Sequence, residues 1–100
     1  MLVPATIVGF DWDAGNDRKS ADKHGFSQVQ AEQVFFNQPL LVLEDDRHSV
    51  MEARIHALGK TNEGRLLHIT FTLRRDGTLI RVISARDMSA KERAVYEQSP

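Results

Sequence analysis

The sequence predicts an α+β domain: a mostly antiparallel sheet with two N-terminal helices and one C-terminal helix. Three observations carry this. Leu66 to Arg86 reads as a β-hairpin about Asp76-Gly77, a dipeptide that suits a tight type I′ turn because both central residues need φ > 0. Ser27-Gln28-Val29-Gln30 and Ser89-Ala90-Lys91-Glu92 each match a capping box, in which the serine and the residue three positions on satisfy each other's backbone N–H groups. Between them, Glu52 to Gly59 alternates as a strand would, with Ala53, Ile55 and Ala57 on one side.

Taken in order, Ile7 to Trp12 is short, apolar and aromatic, and predicts a first strand. Ala14 to Lys23 has helical composition, and Gly25 is well placed to stop that helix. The second helix opens at Ser27, turns Ala31, Val34 and Phe35 inward, and ends before Pro39. Leu40 to Leu43 predicts a strand, followed by the polar loop EDDRHS. The strand through Glu52–Gly59 puts Arg54 and His56 on one face by the period of two, a sharing that a helix there would destroy. In the hairpin, counting outward from the turn pairs Leu73 with Ile80 and Phe71 with Val82 on a core face. Thr72 with Arg81, Thr70 with Ile83 and His68 with Ala85 fall on the other, and Ser84 lands on the core side. The last helix carries Arg93 and Tyr96, three residues apart. No internal repeat or second domain is visible, so residues 1–100 read as a single domain.

At 41% hydrophobic and 27% charged, the composition is that of a globular protein, with no apolar run long enough to span a bilayer and no signal peptide at the start. The expectation is a soluble cytoplasmic protein. Without cysteine there is neither a disulfide nor a thiolate metal site. His24, His48, His56 and His68 lack metal-ligand spacing, and no glycine-rich phosphate loop occurs, so neither a metal nor another cofactor is expected. The net charge of −1 hides an asymmetry. Residues 1–46 hold three Lys/Arg against eight Asp/Glu, whereas residues 47–86 hold eight Lys/Arg against Glu52, Glu63 and Asp76.

Guanidinium groups suit phosphate, because their planar forks make bidentate, charge-assisted bonds and stay charged. Arg54 and Arg81 on one sheet face would hold a phosphodiester and stabilise its pentacovalent transition state without a metal. In RNA the neighbouring 2′-OH is the nucleophile, so the protein needs only positive charge, a base and an acid. His56, His68, Lys23 and Glu52 are the candidates for proton transfer.

The ordered set FDWD (Phe10–Asp13), KHGFS (Lys23–Ser27), VFFNQP (Val34–Pro39), Glu52-x-Arg54, Gly64-Arg65-Leu66-Leu67, RVISAR (Arg81–Arg86) and Glu92-Arg93 with Tyr96 resembles the BrnT family of ribonuclease toxins from bacterial type II toxin–antitoxin pairs. The resemblance runs from Phe10 to Tyr96, although Asn16 and Ser20 stand where the family usually carries Lys and Asn. It implies a RelE-like fold and a metal-independent endoribonuclease that inhibits translation; with the 2′-OH as nucleophile, cleavage would leave a 2′,3′-cyclic phosphate. It also implies a BrnA-like ribbon-helix-helix antitoxin as partner, through which operator DNA is bound. Carried over by motif, it points to Lys23, Glu52, Arg54 and Arg81 as catalytic, with Arg65 and Arg86 on flanking phosphate. His56 and His68 join them as substrate-binding candidates, and Phe10 and Trp12 either stack a base or pack in the core. The rival reading is a non-catalytic module of the same fold whose basic strip only binds protein or nucleic acid.

Overall fold

The structure is a computed structural model that describes residues 7–12, 27–45 and 54–98. Its elements are β1 (Gly9–Phe10), α1 (Gln28–Val34), β2 (Leu41–Asp45), β3 (Arg54–Lys60), β4 (Leu66–Arg74), β5 (Leu79–Asp87) and α2 (Ala90–Glu97). The helix expected over Ala14–Lys23, the Gly25 stop and the EDDRHS loop lie largely or wholly outside the described residues, so the described part has two helices rather than three.

The five strands form one mixed sheet in the order β1-β5-β4-β3-β2. β1 runs parallel to β5, while β5–β4, β4–β3 and β3–β2 are antiparallel. The Glu52–Gly59 segment is a strand from Arg54 onward. Both capping boxes form: Ser27 Oγ accepts from the Gln30 N–H, Ser89 Oγ accepts from the Glu92 N–H, and each partner side chain reaches back to the serine N–H.

Helix α1 covers one face of the sheet. Ala31, Val34 and Phe35 pack there on Ile55, Ala57, Leu67, Ile69, Phe71, Ile80, Val82 and Ala85, the alternate residues of three strands. Phe35 stands edge-on to Phe71 with ring centroids 5.1 Å apart. The helix comes so close to β3 that a Cβ on Gly59 would lie 2.6 Å from Val34 Cγ1. Helix α2 covers one end of the opposite face, where Leu58, Met88 and Tyr96 form a second cluster with Leu41 and Leu66.

The hairpin keeps the expected pairs next to its turn: Leu73 with Ile80, Thr72 with Arg81 and Phe71 with Val82. The turn itself spans Arg75–Thr78, with positive φ at Arg75 as well as Asp76 and Gly77. Beyond Phe71 the register departs from expectation. Thr70 pairs with Ser84 and His68 with Arg86, because Ile83 is an extra residue on β5 at a β-bulge. This corrects the expected pairings of Thr70 with Ile83 and His68 with Ala85. Ser84 is consequently exposed on the face opposite α1, and Arg86 joins it there.

Candidate active site

The sheet face opposite α1 carries side chains in rows across the strands. One row runs Arg54, Thr72, Arg81: Arg81 pairs with Thr72, and Arg54 lies one residue beyond the Ile55–Phe71 pair. The two arginines therefore flank buried Thr72 on a single face, two strand spacings or about 10 Å apart at the backbone. Arg54 is exposed. Arg81 is half-buried, with Nη1 3.5 Å from Asp11 Oδ2, an ion pair that β1 brings to this face by running beside β5.

The next row is Leu43, His56, Thr70, Ser84, and the one after it is Leu41, Leu58, His68, Arg86. Between these rows lies a connected polar cluster. His56 Nδ1 is 3.0 Å from His68 Nε2, with the rings nearly perpendicular, and Thr70 Oγ1 is 3.0 Å from the same His56 nitrogen. His68 Nδ1 lies 2.7 Å from Glu92 Oε2. Arg86 grips that carboxylate with both forks, Nη1 donating to Oε1 at 2.8 Å and Nη2 to Oε2 at 2.9 Å.

The electrostatics follow from these contacts. The Arg86 guanidinium, helped by the Ser89 N–H and by His68, holds the Glu92 carboxyl far below the usual carboxylate range despite partial burial. Burial pushes His68 below its ordinary value of 6.5, and the nearby Arg86 charge adds to this. Those effects outweigh the hydrogen bond to Glu92, which pulls the other way. Glu92 is thus ionised and His68 neutral around pH 7.

The structure brings Arg54, Arg81, His56, His68 and Arg86 of the expected set onto one face. It places Trp12 elsewhere. By the alternation of β1, Trp12 packs with Phe10 at the core on the α1 side, where its Nε1 donates to Glu32 Oε2 at 2.8 Å. Arg65 is also apart, seven residues before Thr72 and just outside β4, and is paired bidentately with Asp87 at 2.8 and 3.1 Å. Lys23 and Glu52 lie outside the described residues, as do His24 and His48. Glu92 and Thr70 complete the cluster, and exposed Ser84 stands opposite Thr70 on β5. Neither Glu92 nor Thr70 is among the site residues the sequence points to. The capping box marked Glu92 as a helix start, but the direction its carboxylate faces depends on how α2 docks. Among the described residues no group of three or more His, Asp or Glu side chains is arranged to hold a metal ion. None of the described helices is long and apolar enough to cross a membrane.

Comparison with known proteins supplies the family. The family model described as the ribonuclease toxin, BrnT, of type II toxin–antitoxin systems matches residues 12–92, and the chain belongs to that family. Membership implies an RNA substrate and an antitoxin partner. Among solved structures, the crystal structure of the Brucella abortus ribonuclease toxin BrnT has a similar fold, with a TM-score of 0.62 and 20% sequence identity over 82% of this chain and 97% of that one. Comparison with curated proteins found no match.

Proposed function

We propose that this BrnT-family chain is a metal-independent endoribonuclease whose open sheet face is the active site. The observation that supports it most is the placement of Arg54 and Arg81 on either side of Thr72, one row from the His56–His68 pair. A phosphodiester held between the two guanidiniums presents its neighbouring 2′-OH to the histidine row. His56 takes the 2′ proton, the 2′ oxygen bonds to phosphorus, and charge on the equatorial oxygens is met by Arg54 and Arg81. The bond from phosphorus to the 5′ oxygen breaks, and that oxygen receives a proton from an acid, a role we give to Lys23. The products are a 2′,3′-cyclic phosphate and a free 5′-OH.

Glu52 keeps a catalytic assignment from its E-x-R motif. Arg86, forked to Glu92, shapes the site more than it binds substrate. Arg65, just before β4 and about 23 Å from the Arg54–Arg81 row, contacts RNA several nucleotides from the scissile phosphate. The RelE-like assignment, the block of translation and a BrnA-like ribbon-helix-helix antitoxin with operator binding follow from the same reading. The antitoxin then covers part of the Arg54–Arg81 face.

Induced expression tests the proposal in cells. Wild type should arrest growth, and the purified protein should cleave RNA. A folded wild-type protein that binds RNA without cleaving it, and leaves growth unaffected, would replace the enzyme with an interaction module.

A further inference from the structure

We propose, resting on the ribonuclease reading of this face, that Leu43 and Val95 form an apolar corner that receives the unpaired nucleobase on the 5′ side of the scissile phosphate. Both side chains are open to solvent, at 67% and 52% exposure. The other exposed large apolar side chains among the described residues, Val8, Val29 and Phe36, lie before β1 and around α1. Leu43 faces the other way. Its neighbour Val42 packs on the core under α1, while Leu41 packs with Leu58, Met88 and Tyr96, so by the period of two Leu43 points out of the open face. It is the cross-strand partner of His56, with Cβ atoms about 5 Å apart, and the diagonal neighbour of Arg54 at about 7–8 Å.

Val95 reaches the same place from above. Helix α2 crosses the face from β5 toward β2: Glu92 meets His68 and Arg86, and one turn on Tyr96 clusters with Leu58 and Leu41 and donates to the Pro39 carbonyl at 2.6 Å. Those contacts fix the roll of the helix. At about 100° per residue, Arg93 and Glu97 turn to one flank, where they line a cleft with Gly64, Leu66 and Asp87. Lys91 and Val95 turn to the opposite flank, which overlooks the row of Leu43, His56, Thr70 and Ser84. Lys91 stands at the β5 end of that row and Val95 toward the β2 end, so a leucine floor and a valine wall meet beside His56.

The covalent structure of RNA says what belongs there. The attacking 2′-OH and the base sit on neighbouring carbons of one ribose. With the phosphate between Arg54 and Arg81 and the 2′-OH at the histidine row, the base lies within a ribose's width of His56. Toward β5 that row is polar, with Thr70 and then Ser84. Toward the helix, His68 and Glu92 fill the space. Toward β2 lie Leu43 and Val95. A base has apolar faces and polar edges, so it lays a face on Leu43 and keeps its edges in water. Contacts of this kind read no hydrogen-bonding pattern and grow with area, so the corner takes any base and favours purines. A base in a duplex is stacked and does not enter, which makes single-stranded RNA the substrate.

The test uses oligodeoxynucleotides with one ribonucleotide, so that a single 2′-OH fixes the cleavage site. That ribonucleotide carries adenine, uracil or no base. Cleavage, and binding by fluorescence anisotropy, are measured for wild type, Leu43→Ser and Val95→Ser, with thermal melts to confirm folding. Wild type should handle the adenine substrate best and the abasic one worst, by about tenfold in kcat/KM and in affinity. Each variant should lose most of that factor on the adenine substrate and change little on the abasic one, where the contact it removes is already missing. Equal losses on both substrates would overturn the proposal, as would folded variants that treat all three substrates as wild type does. Variants that cleave normally but escape neutralisation by the antitoxin would also overturn it, and assign the corner to protein. If the chimeras are bound but not cleaved, the affinity series decides whether the corner holds a base. If an all-RNA strand is not cleaved either, the ribonuclease reading fails by itself, and the affinity series still decides.

Discussion

Arg86 stands directly across from His68, and it does so because Ile83 is bulged out of the ladder between β4 and β5. In an unbroken register Arg86 would fall opposite Leu67, on the buried side of the sheet. One extra residue on β5 thus decides whether the guanidinium reaches Glu92 or meets the core.

Deleting Ile83 should be tolerated. The ladder then becomes regular with Val82 and Ala85 still inward and Ser84 and Arg86 still outward, so only local packing of one half-buried isoleucine is lost. Deleting Ala57 should abolish folding, because it reverses every following side chain of a strand that is paired on both edges. Thermal unfolding of the two deletions checks the contrast, and equal loss of cooperativity in both would count against the bulge's assigned role.

Gly59→Ala should destabilise the fold by about 1–3 kcal/mol, since the new Cβ would sit 2.6 Å from Val34 Cγ1 and something must shift. Val34→Ala made alone leaves a cavity, but together with Gly59→Ala it relieves the clash. Denaturant unfolding of the two single variants and the double should therefore show a favourable coupling between the sites.

Acid should unfold the protein in two stages. Burial lowers the His68 pKa in the folded state, so below its ordinary 6.5 the unfolded chain binds a proton that the native one resists. Stability falls as pH drops from 6.5 toward the lower folded value. Glu92 is also depressed, from 4.5, so its contribution is intact above that pH and is lost as pH falls further. Melting temperatures measured from pH 8 to pH 3 should decline in both ranges, and His68→Phe should flatten the first decline only.

Much of this was legible in the sequence where local chemistry decides it. Ser27 and Ser89 announce their helices because a cap is an interaction over three residues. Asp76-Gly77 sets the register beside the turn, and alternation puts Arg54 and His56 on one face. The bulge was not legible, since Arg81 to Arg86 carries neither a glycine nor a proline to signal it. A continuous register therefore misplaces what lies beyond it by one residue, pairing His68 with Ala85 and putting Ser84 on the core side. Trp12 was ambiguous because an aromatic at a strand end suits both a core and a stacking surface, and the pairing of β1 with β5 decides it. The role of Glu92 depends on α2 docking across the sheet, a contact between residues 24 apart that no short pattern encodes.

The most direct test of the open face as a metal-free ribonuclease centre is cleavage of a labelled single-stranded RNA in excess EDTA by wild type and Arg54→Ala, with the product ends analysed. The Arg54 side chain is exposed, so its removal should leave the melting temperature nearly unchanged. The account predicts 2′,3′-cyclic phosphate ends from wild type and little or no cleavage from the folded variant. Full activity in folded Arg54→Ala, or cleavage that EDTA abolishes, would contradict it.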